Sequence, residues 1–287
     1  MSHFGVILID KPPNITSFDV VRKLRKITGI RKIGHTGTLD PFATGLLQLC
    51  IGKATRVVSK LIENDKTYLA TCQLGIQTET GDLTGKVIKQ EAPPKISKED
   101  MNNIIPEILK ITSQTPHKFS AVKVDGKRAY ELARQKKEVN LQSRPIRIID
   151  FKINKLENNE ITYVAHVSKG TYIRVLSETI AEKLGTVGTT ITLRRTKIGG
   201  IDLKNAVKLE DLNSSNWKEY LIPLTQIFSL LKKVHLDPEQ KIFFKNGGNI
   251  KTTLINEDEV IVLDNADMCV GFGCVNEGTL KPKIVFI

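Results

Sequence analysis

The segment GHTGTLDPFATGLL, residues 34–47, constrains the chain more than any other stretch. Its three glycines and the proline after Asp40 favour a shaped loop over a helix or an uninterrupted strand. Pro41 restricts Asp40 to an extended backbone and removes one amide that could have satisfied the carboxylate locally. The glycines are expected to let the backbone turn or approach a ligand closely. The loop therefore presents a single carboxylate at a defined place.

Common phosphate-binding, nucleophile and zinc motifs do not account for this loop. Gly52 and Lys53 are followed by Ala54, where a P-loop requires Ser or Thr, and the patterns G-x-G-x-x-G, G-x-S-x-G and H-E-x-x-H do not occur. A lone carboxylate can act as a nucleophile, a base or an electrostatic stabiliser. The alternative is a turn aspartate that only caps the residues after it. From these residues alone both interpretations stay open.

The charge balance favours a polyanionic partner. The 287 residues include 43 Lys and Arg against 31 Asp and Glu, which gives a formal net charge of +12. Nucleic acid and an anionic membrane both fit this excess, and a basic but unspecialised surface is the alternative. No run reaches the roughly 18 apolar residues of a membrane span, and the N-terminal apolar run is too short for a signal peptide. We therefore expect a cytoplasmic protein that is not bound to a membrane, with its four cysteines reduced.

Periodic patterns outline a chain that mixes strands and helices. Residues 66–74 alternate as a strand, and residues 17–28 carry the apolar stripe of a helix that Gly29 ends. A second capped helix begins near residue 97, and Pro106 is expected to kink or divide it. From about residue 232, short apolar runs broken by Gly, Asn and Asp indicate a small all-β module.

Several motifs, in one order, resemble those of the TruB family of tRNA pseudouridine synthases. The most specific is the GHTGTLDP core, and the resemblance covers nearly the whole chain. The matching pieces are GVILIDKPPNITS (5–17), GHTGTLDPFATGLLQLCIGKATR (34–56), DKTYLATCQLGIQTETGD (65–82), FSAVKVDGKRAYELAR (119–134), RPI (144–146), VSKGTYIRVLSETIAEKLG (167–185), LRRTKIG (193–199) and FKNGG (244–248).

The resemblance implies an α+β fold with a large mixed, mostly antiparallel sheet, flanking helices and a small all-β C-terminal domain. It implies a catalytic pseudouridine synthase domain over residues 1–231 and a PUA-like RNA-binding domain over residues 232–287. A basic insertion at about residues 117–147 is expected to grip RNA. The expected contacts in it are Lys123, Lys127, Arg128 and Arg134.

The activity implied by the resemblance is isomerisation of uridine to pseudouridine at position 55, in the T-loop of tRNA. Such enzymes flip the nucleotide out, break its glycosidic bond, rotate the uracil and rejoin it through carbon. The catalytic aspartate falls on Asp40, which adds to C6 of the uracil or acts at the ribose. We expect no cofactor and no metal, because an isomerisation consumes nothing. The expected partner is the T-arm of tRNA, bound by a monomer that can also assist tRNA folding.

The resemblance also assigns residues around the uracil. His35 is expected to wedge into the RNA loop, Tyr68 to stack on the flipped base, and Arg174 to keep the catalytic aspartate ionised. The remaining assignments are Tyr172 and Leu193 in the pocket, Lys11 in a structural or RNA-facing role beside it, and Arg56 as a phosphate-binding cation.

Three positions depart from the family pattern, and two rival functions remain. Arg56 stands where many members carry Lys, which still leaves a phosphate-binding cation. Asn14 stands where Gly is common, although Asn tolerates a left-handed backbone, and His117 stands where Pro is frequent, which is expected to loosen that loop. One rival is a non-catalytic tRNA-binding protein or folding chaperone, against which the presence of Asp40, Tyr68 and Arg174 argues. The other is an RNA-binding module unrelated to modification, against which the Asp40 loop argues.

Overall fold

A computed structural model describes residues 4–120, 122–124, 126–135, 137 and 139–286. The strands within these residues are β1 Gly5–Lys11, β2 Ile33–His35, β3 Thr44–Ile51, β4 Lys66–Leu74, β5 Ile76–Thr78, β6 Val87–Gln90, β7 Ser113–Gln114, β8 Lys123–Val124, β9 Lys127–Arg128, β10 Arg144–Pro145, β11 Ile148–Glu157, β12 Glu160–Val167, β13 Gly188–Ile198, β14 Ile201–Asp202, β15 Val207–Lys208, β16 Lys232–Leu236, β17 Ile250–Lys251, β18 Glu257–Asp264, β19 Cys269–Asn276 and β20 Thr279–Val285.

The α-helices of the described residues are α1 Ser17–Thr28, α2 Val58–Ile62, α3 Lys98–Leu109, α4 Ala129–Arg134, α5 Ile173–Lys183, α6 Leu224–Ile227 and α7 Pro238–Lys245. Short 3-10 helices cover Gly52–Val57, Leu203–Asn205, Leu209–Asp211 and Trp217–Tyr220. None of the helices in the described ranges is long and apolar enough to cross a membrane.

A nine-stranded sheet forms the centre of the fold. Its strand order is β11-β12-β4-β13-β3-β1-β15, with β14 paired to β13 and β2 paired to β3. The pairs β13–β3 and β1–β15 are parallel, and the other pairs in this sheet are antiparallel. The predicted α+β class, with a large and mostly antiparallel mixed sheet, is therefore confirmed.

Both faces of the central strands are buried. Alternate residues of a strand point to opposite faces, and in β1 both sets of residues belong to a core. In β1, Ile7 and Ile9 belong to the larger core, which also contains the apolar stripe of α1. Val6 and Leu8 belong to a second core on the other face.

The predicted helix α1 is confirmed together with its caps. Thr16 is the N-cap and forms a capping box with Asp19, and Gly29 ends the helix in the left-handed conformation at φ 70°. Of the two expected effects of Pro106, a kink or a division of the second helix, the division is wrong, because α3 continues through that residue from Lys98 to Leu109.

The C-terminal segment forms a separate five-stranded sheet in the order β16-β18-β19-β20-β17. It also contains α7, which the all-β interpretation of this segment did not include. The sequence carried the signal: Asp237 caps the helix, Pro238 occupies its first turn, and Gln240 completes a capping box.

The C-terminal sheet packs on the central sheet through the second core. That core joins residues of β1 and β3 to Ile261, Leu263, Phe272 and Phe286 of the C-terminal segment. Lys60 of α2 also pairs with Glu259 of β18. The two parts of the chain therefore share buried apolar surface.

Replacing Phe272 by Ala is expected to lower the free energy of unfolding of the whole chain by about 3–5 kcal/mol. The Phe272 side chain is fully buried, and its ring centroid lies 4.9 Å from that of Phe228 and 5.9 Å from that of Phe286. Urea unfolding should shift as one transition, whereas Met268→Ala, at a half-exposed position, should change stability by less than about 0.5 kcal/mol. A loss confined to a separate C-terminal transition would contradict the shared core.

Candidate active site

The loop that carries Asp40 runs from the end of β2 to the start of β3. Ser17 of α1 fixes it: its hydroxyl donates to the Leu39 carbonyl at 3.1 Å and accepts from the Leu39 amide at 2.9 Å. Of the three glycines, Gly45 is the one that sterics require. It has φ 100°, and a Cβ there would lie 2.3 Å from the carbonyl oxygen of Arg195 on the neighbouring strand.

The Lys11 side chain ties the same loop to the turn after β1. It is fully buried, and its Nζ donates to the carbonyls of Pro12, Ile15 and Pro41 at 2.9, 2.8 and 3.2 Å. Asn14 adopts the left-handed conformation expected of it, with φ 64°. Its backbone N–H donates to the Pro41 carbonyl at 2.8 Å. Of the two roles left open for Lys11, these contacts support the structural one.

Asp40 does not use its carboxylate to cap its own turn. Both carboxylate oxygens face the guanidinium of Arg174, with Arg174 Nε 3.0 Å from Oδ2 and Nη2 3.2 Å from Oδ1. This two-point geometry fixes the plane of the carboxylate as well as its charge. The side chain of Asp40 is 31% exposed and that of Arg174 is 5% exposed, so the carboxylate is the open member of the pair.

Arg174 is itself held from several directions. Its Nη1 lies 3.2 Å from Oδ2 of Asp82 and donates to the Thr80 carbonyl at 2.7 Å, and its Nη2 donates to the Phe119 carbonyl at 3.1 Å. Asp82 is in turn fixed by Thr80 and by Thr84, whose hydroxyl and amide both donate to its Oδ1. The guanidinium thus has little freedom to follow Asp40 if the carboxylate moves.

Electrostatics pull the Asp40 carboxyl in two directions. Burial raises its pKa above the ordinary value, and the charge and hydrogen bonds of Arg174 oppose that rise. Burial likewise lowers the pKa of Lys11 to about 8, although the nearby Asp40 charge acts in the opposite sense.

Asp40 lies in a cavity of about 360 Å³ whose walls are partly aromatic. Tyr68 of β4, Tyr172 before α5 and Leu193 of β13 line it. Tyr68 and Leu193 are largely buried, and burial raises the pKa of the Tyr172 hydroxyl. A slot lined by two tyrosines and a leucine beside one carboxylate suits a planar heterocycle.

The cavity is otherwise strongly basic. Among the described residues, its ionisable lining consists of Asp40, two tyrosines and five cations, namely Lys66, Arg144, Lys169, Arg174 and Arg195. Arg195 is 1% exposed and donates to the carbonyls of Leu46 and Gly37 at 2.7 and 3.1 Å. Burial, followed by the charge of Arg195, lowers the pKa of Lys66 to about 8. Such a lining favours an anionic ligand.

Two predicted site residues lie beside the cavity or away from it. His35, at the end of β2, accepts a hydrogen bond from the Gly37 amide at its Nδ1, at 3.3 Å. Burial and the charges of Arg195 and Arg128 lower its pKa, so the imidazole is neutral near pH 7. Arg56 is directed to the C-terminal sheet, where it donates to the Val285 carbonyl.

Within the described residues of the basic insertion lie the β8–β9 hairpin and the short helix α4. The expected RNA contacts Lys123, Lys127, Arg128 and Arg134 are all exposed. Ser120 and Val122 line the cavity, which brings the insertion to its mouth. Lys136, another basic residue of this stretch, lies outside the described residues.

Sequence reasoning did not single out Asp82, Lys66 or Arg195. All three lie inside the matched segments 65–82 and 193–199, so the signal was present. Among the described residues, no group of three His, Cys, Asp or Glu side chains is arranged to hold a metal ion.

Replacing Lys11 by Met is expected to lower the free energy of unfolding by about 2–4 kcal/mol, because three carbonyls lose their donor. Without these hydrogen bonds the loop that carries Asp40 should become more mobile, so turnover should fall as well. Thermal and urea unfolding measure the first effect. Lys152→Met, at an exposed position of β11, is the matched control. Unchanged stability of the Lys11 variant would contradict the structural role.

Comparison with known proteins identifies the family of this chain. Residues 25–173 match the family described as "TruB family pseudouridylate synthase (N terminal domain)". The chain is 39% identical over 273 residues to the tRNA pseudouridine synthase B of Clostridium tetani, covering 94% of both chains. It is 38% identical over 291 residues to that of Aquifex aeolicus, covering 99% of both.

A solved structure supports the fold independently. A chain of a Cbf5–Nop10–Gar1 complex superposes with a TM-score of 0.72 at 22% identity, over 99% of this chain and 85% of that one. The family match spans more than half of the sequence, and the relatives are similar over nearly their full length. The chain therefore belongs to the TruB family of pseudouridylate synthases, which are isomerases.

Proposed function

We propose that this enzyme converts uridine to pseudouridine at position 55, in the T-loop of tRNA, with Asp40 as the catalytic residue. One observation carries the proposal: the Asp40 carboxylate, held in plane by Arg174, is open to an aromatic slot surrounded by cations. The slot suits a uracil, and the cations suit the phosphates on either side of it. The names of the curated relatives, tRNA pseudouridine synthase B, support the choice of tRNA.

The reaction is balanced within the nucleotide. The bond from N1 to C1′ breaks, a bond from C5 to C1′ forms, the proton on C5 leaves, and N1 takes up a proton. Asp40 starts this sequence as a carboxylate, either by adding to C6 of the uracil or by acting at the ribose. Tyr68 stacks on the base, and Tyr172 and Leu193 complete the slot around it.

The target nucleotide reaches Asp40 by flipping out of the RNA, at a cost of a few kcal/mol for unstacking. His35 replaces the lost stacking by wedging into the loop. Two properties of His35 suit that role. Its Nδ1 accepts a hydrogen bond from the Gly37 amide. Its lowered pKa leaves the ring uncharged, so the ring is easy to desolvate. Nε2 then carries the ring proton and can donate to a base.

The rest of the chain binds the remainder of the T-arm. The basic insertion contacts RNA through Lys123, Lys127, Arg128 and Arg134, and residues 232–287 act as a PUA-like RNA-binding domain. The contact of Arg56 with Val285 favours an indirect role for Arg56, in holding this domain against the catalytic one. The protein acts in the cytoplasm as a monomer without a cofactor, and binding of the T-arm also assists tRNA folding.

Release of tritium from RNA labelled at C5 of uridine tests the proposal, because that hydrogen leaves when the new bond forms. An unmodified tRNA transcript should release one equivalent per molecule, and so should the isolated T-arm hairpin. A transcript with cytidine at position 55 should release none. Release that persists from the cytidine transcript would assign the activity to another uridine.

Replacing Lys127, Arg128 and Arg134 together by Ala is expected to weaken RNA binding and to flatten its salt dependence. If each cation neutralises one phosphate, the slope of log K against log salt should fall by about 0.7–0.9 per residue. A titration over several salt concentrations measures the slope. The matched control replaces Lys95, Lys98 and Lys152, which are exposed outside the insertion. Equal slopes for the two triple variants would show that these insertion residues face solvent and do not contact phosphates.

A further inference from the structure

One face of helix α1 carries an exposed aromatic ring between two guanidinium groups. Phe18 is 54% exposed. The Cζ atoms of Arg22 and Arg25, four and seven residues further along the helix, lie 5.9 and 5.6 Å from its ring centroid. Both distances fall within the range of a cation–π contact. A single exposed apolar residue is ordinary, but a ring held in a cationic frame is a defined surface.

The two arginines beside this ring differ in their hydrogen bonds. Asp19 binds the Arg22 side chain and also accepts from the Thr16 hydroxyl and amide, so Arg22 is held in place. The buried Nε of Arg25 has no hydrogen-bond partner among the described residues.

The face continues from the active site towards a second basic surface. The residue before Phe18, Ser17, holds the Asp40 loop through Leu39. The twelve residues of α1 span about 18 Å. At the far end, Lys26 borders an open cavity of about 720 Å³ that Lys53 and Lys218 also line, with no acidic side chain among its described lining residues.

We propose that Phe18, framed by Arg22 and Arg25, is a stacking platform for one unpaired nucleobase of the same RNA whose uridine enters the active site. This inference rests on the proposed function. A nucleotide combines a flat π-surface with a phosphate, and these match a half-exposed aromatic ring that has two guanidinium groups within cation–π distance. The cations Arg22, Arg25 and Lys26 along α1 then bind the adjoining phosphates. The helix thereby guides the RNA strand towards Asp40.

A tryptophan at the platform tests the proposal directly. The only native tryptophan, Trp217, is 4% exposed. Phe18→Trp adds an exposed indole, whose emission should be quenched when an unmodified tRNA transcript stacks a base on it. The emission of the wild-type protein with the same transcript gives the background. Polyglutamate serves as a polyanion without bases and should leave the added emission unchanged.

Affinity provides the second readout. Phe18→Ala should weaken binding of the transcript between about fivefold and a hundredfold, since stacking contributes roughly 1–3 kcal/mol per base. Phe18→Leu keeps apolar area but has no π-face, so it should weaken binding as well. Phe18→Trp keeps a π-face and should bind like the wild type. Leu230→Ala, at a position 99% exposed, should bind like the wild type. Binding by Phe18→Ala within twofold of wild type, or quenching by polyglutamate, would overturn the platform.

The two proposals can fail separately. Tritium release from position 55, without any quenching of the indole added in Phe18→Trp, would leave the function intact and remove the platform. Quenching by the transcript, together with no tritium release by the wild type, would support the platform and remove the proposed reaction.

Discussion

Asp40→Asn is expected to reduce tritium release from the T-arm by at least about 10⁴-fold while RNA affinity stays within tenfold, or about 1.4 kcal/mol. Asparagine keeps the shape of the side chain and removes its charge and nucleophilic oxygen. Because Asp40 is the acidic residue in a cavity lined by five described cations, its charge does not attract RNA. Single-turnover tritium release and a binding titration on the same preparation separate the two effects.

The control for Asp40→Asn is the same change at Asp211, which is exposed in a 3-10 helix. That variant should match the wild type in both assays. Near-normal turnover by Asp40→Asn would remove Asp40 from the chemistry. Loss of turnover accompanied by a loss of affinity far beyond tenfold would instead indicate that the substitution distorts the loop.

Local sequence signals predicted local structure well. The capping box at Thr16, the apolar stripe of α1 and the left-handed Gly29 all depend on residues within one or two helical turns of each other. The alternation in β4 was equally readable, because Tyr68, Ala70, Cys72 and Leu74 all join the larger core. Pro106 does not interrupt α3, because the burial of Ile104 and Ile108 on one face of the helix outweighs the cost of one missing hydrogen bond.

Contacts between distant segments were harder to predict. Asp40 and Arg174 were paired through the family resemblance, but nothing in the spacing placed Asp82 on the other side of the guanidinium. Arg195 lies opposite Gly45 on a parallel neighbour strand, a register fixed only when the whole sheet assembles. The second core is similar, because the apolar run in β1 indicates a buried strand without revealing that a C-terminal sheet covers one of its faces.

Arg174→Met is expected to cost about 3–5 kcal/mol of unfolding free energy near pH 7, because it leaves Asp40 and Asp82 without their shared counter-charge. Burial already raises the pKa of Asp40, and Arg174 opposes that rise. Removing Arg174 should therefore raise this pKa further. A carboxyl whose pKa is raised in the folded state favours folding at low pH and loses that contribution as pH rises. The stability deficit of the variant should thus be smaller at pH 5 than at pH 8.

The activity of Arg174→Met should follow the opposite trend with pH. Its residual turnover requires ionised Asp40, so it should keep increasing at a pH where the wild type has levelled off. Arg174→Lys should lie between the two, because an ammonium supplies charge without the two-point contact. Lys155→Met, at a side chain 61% exposed that pairs with Glu157 on β11, is the control and should match the wild type. Urea unfolding and tritium release from pH 5 to pH 8.5 measure both trends. A variant profile that superposes on that of the wild type would show that Arg174 does not control the ionisation of Asp40.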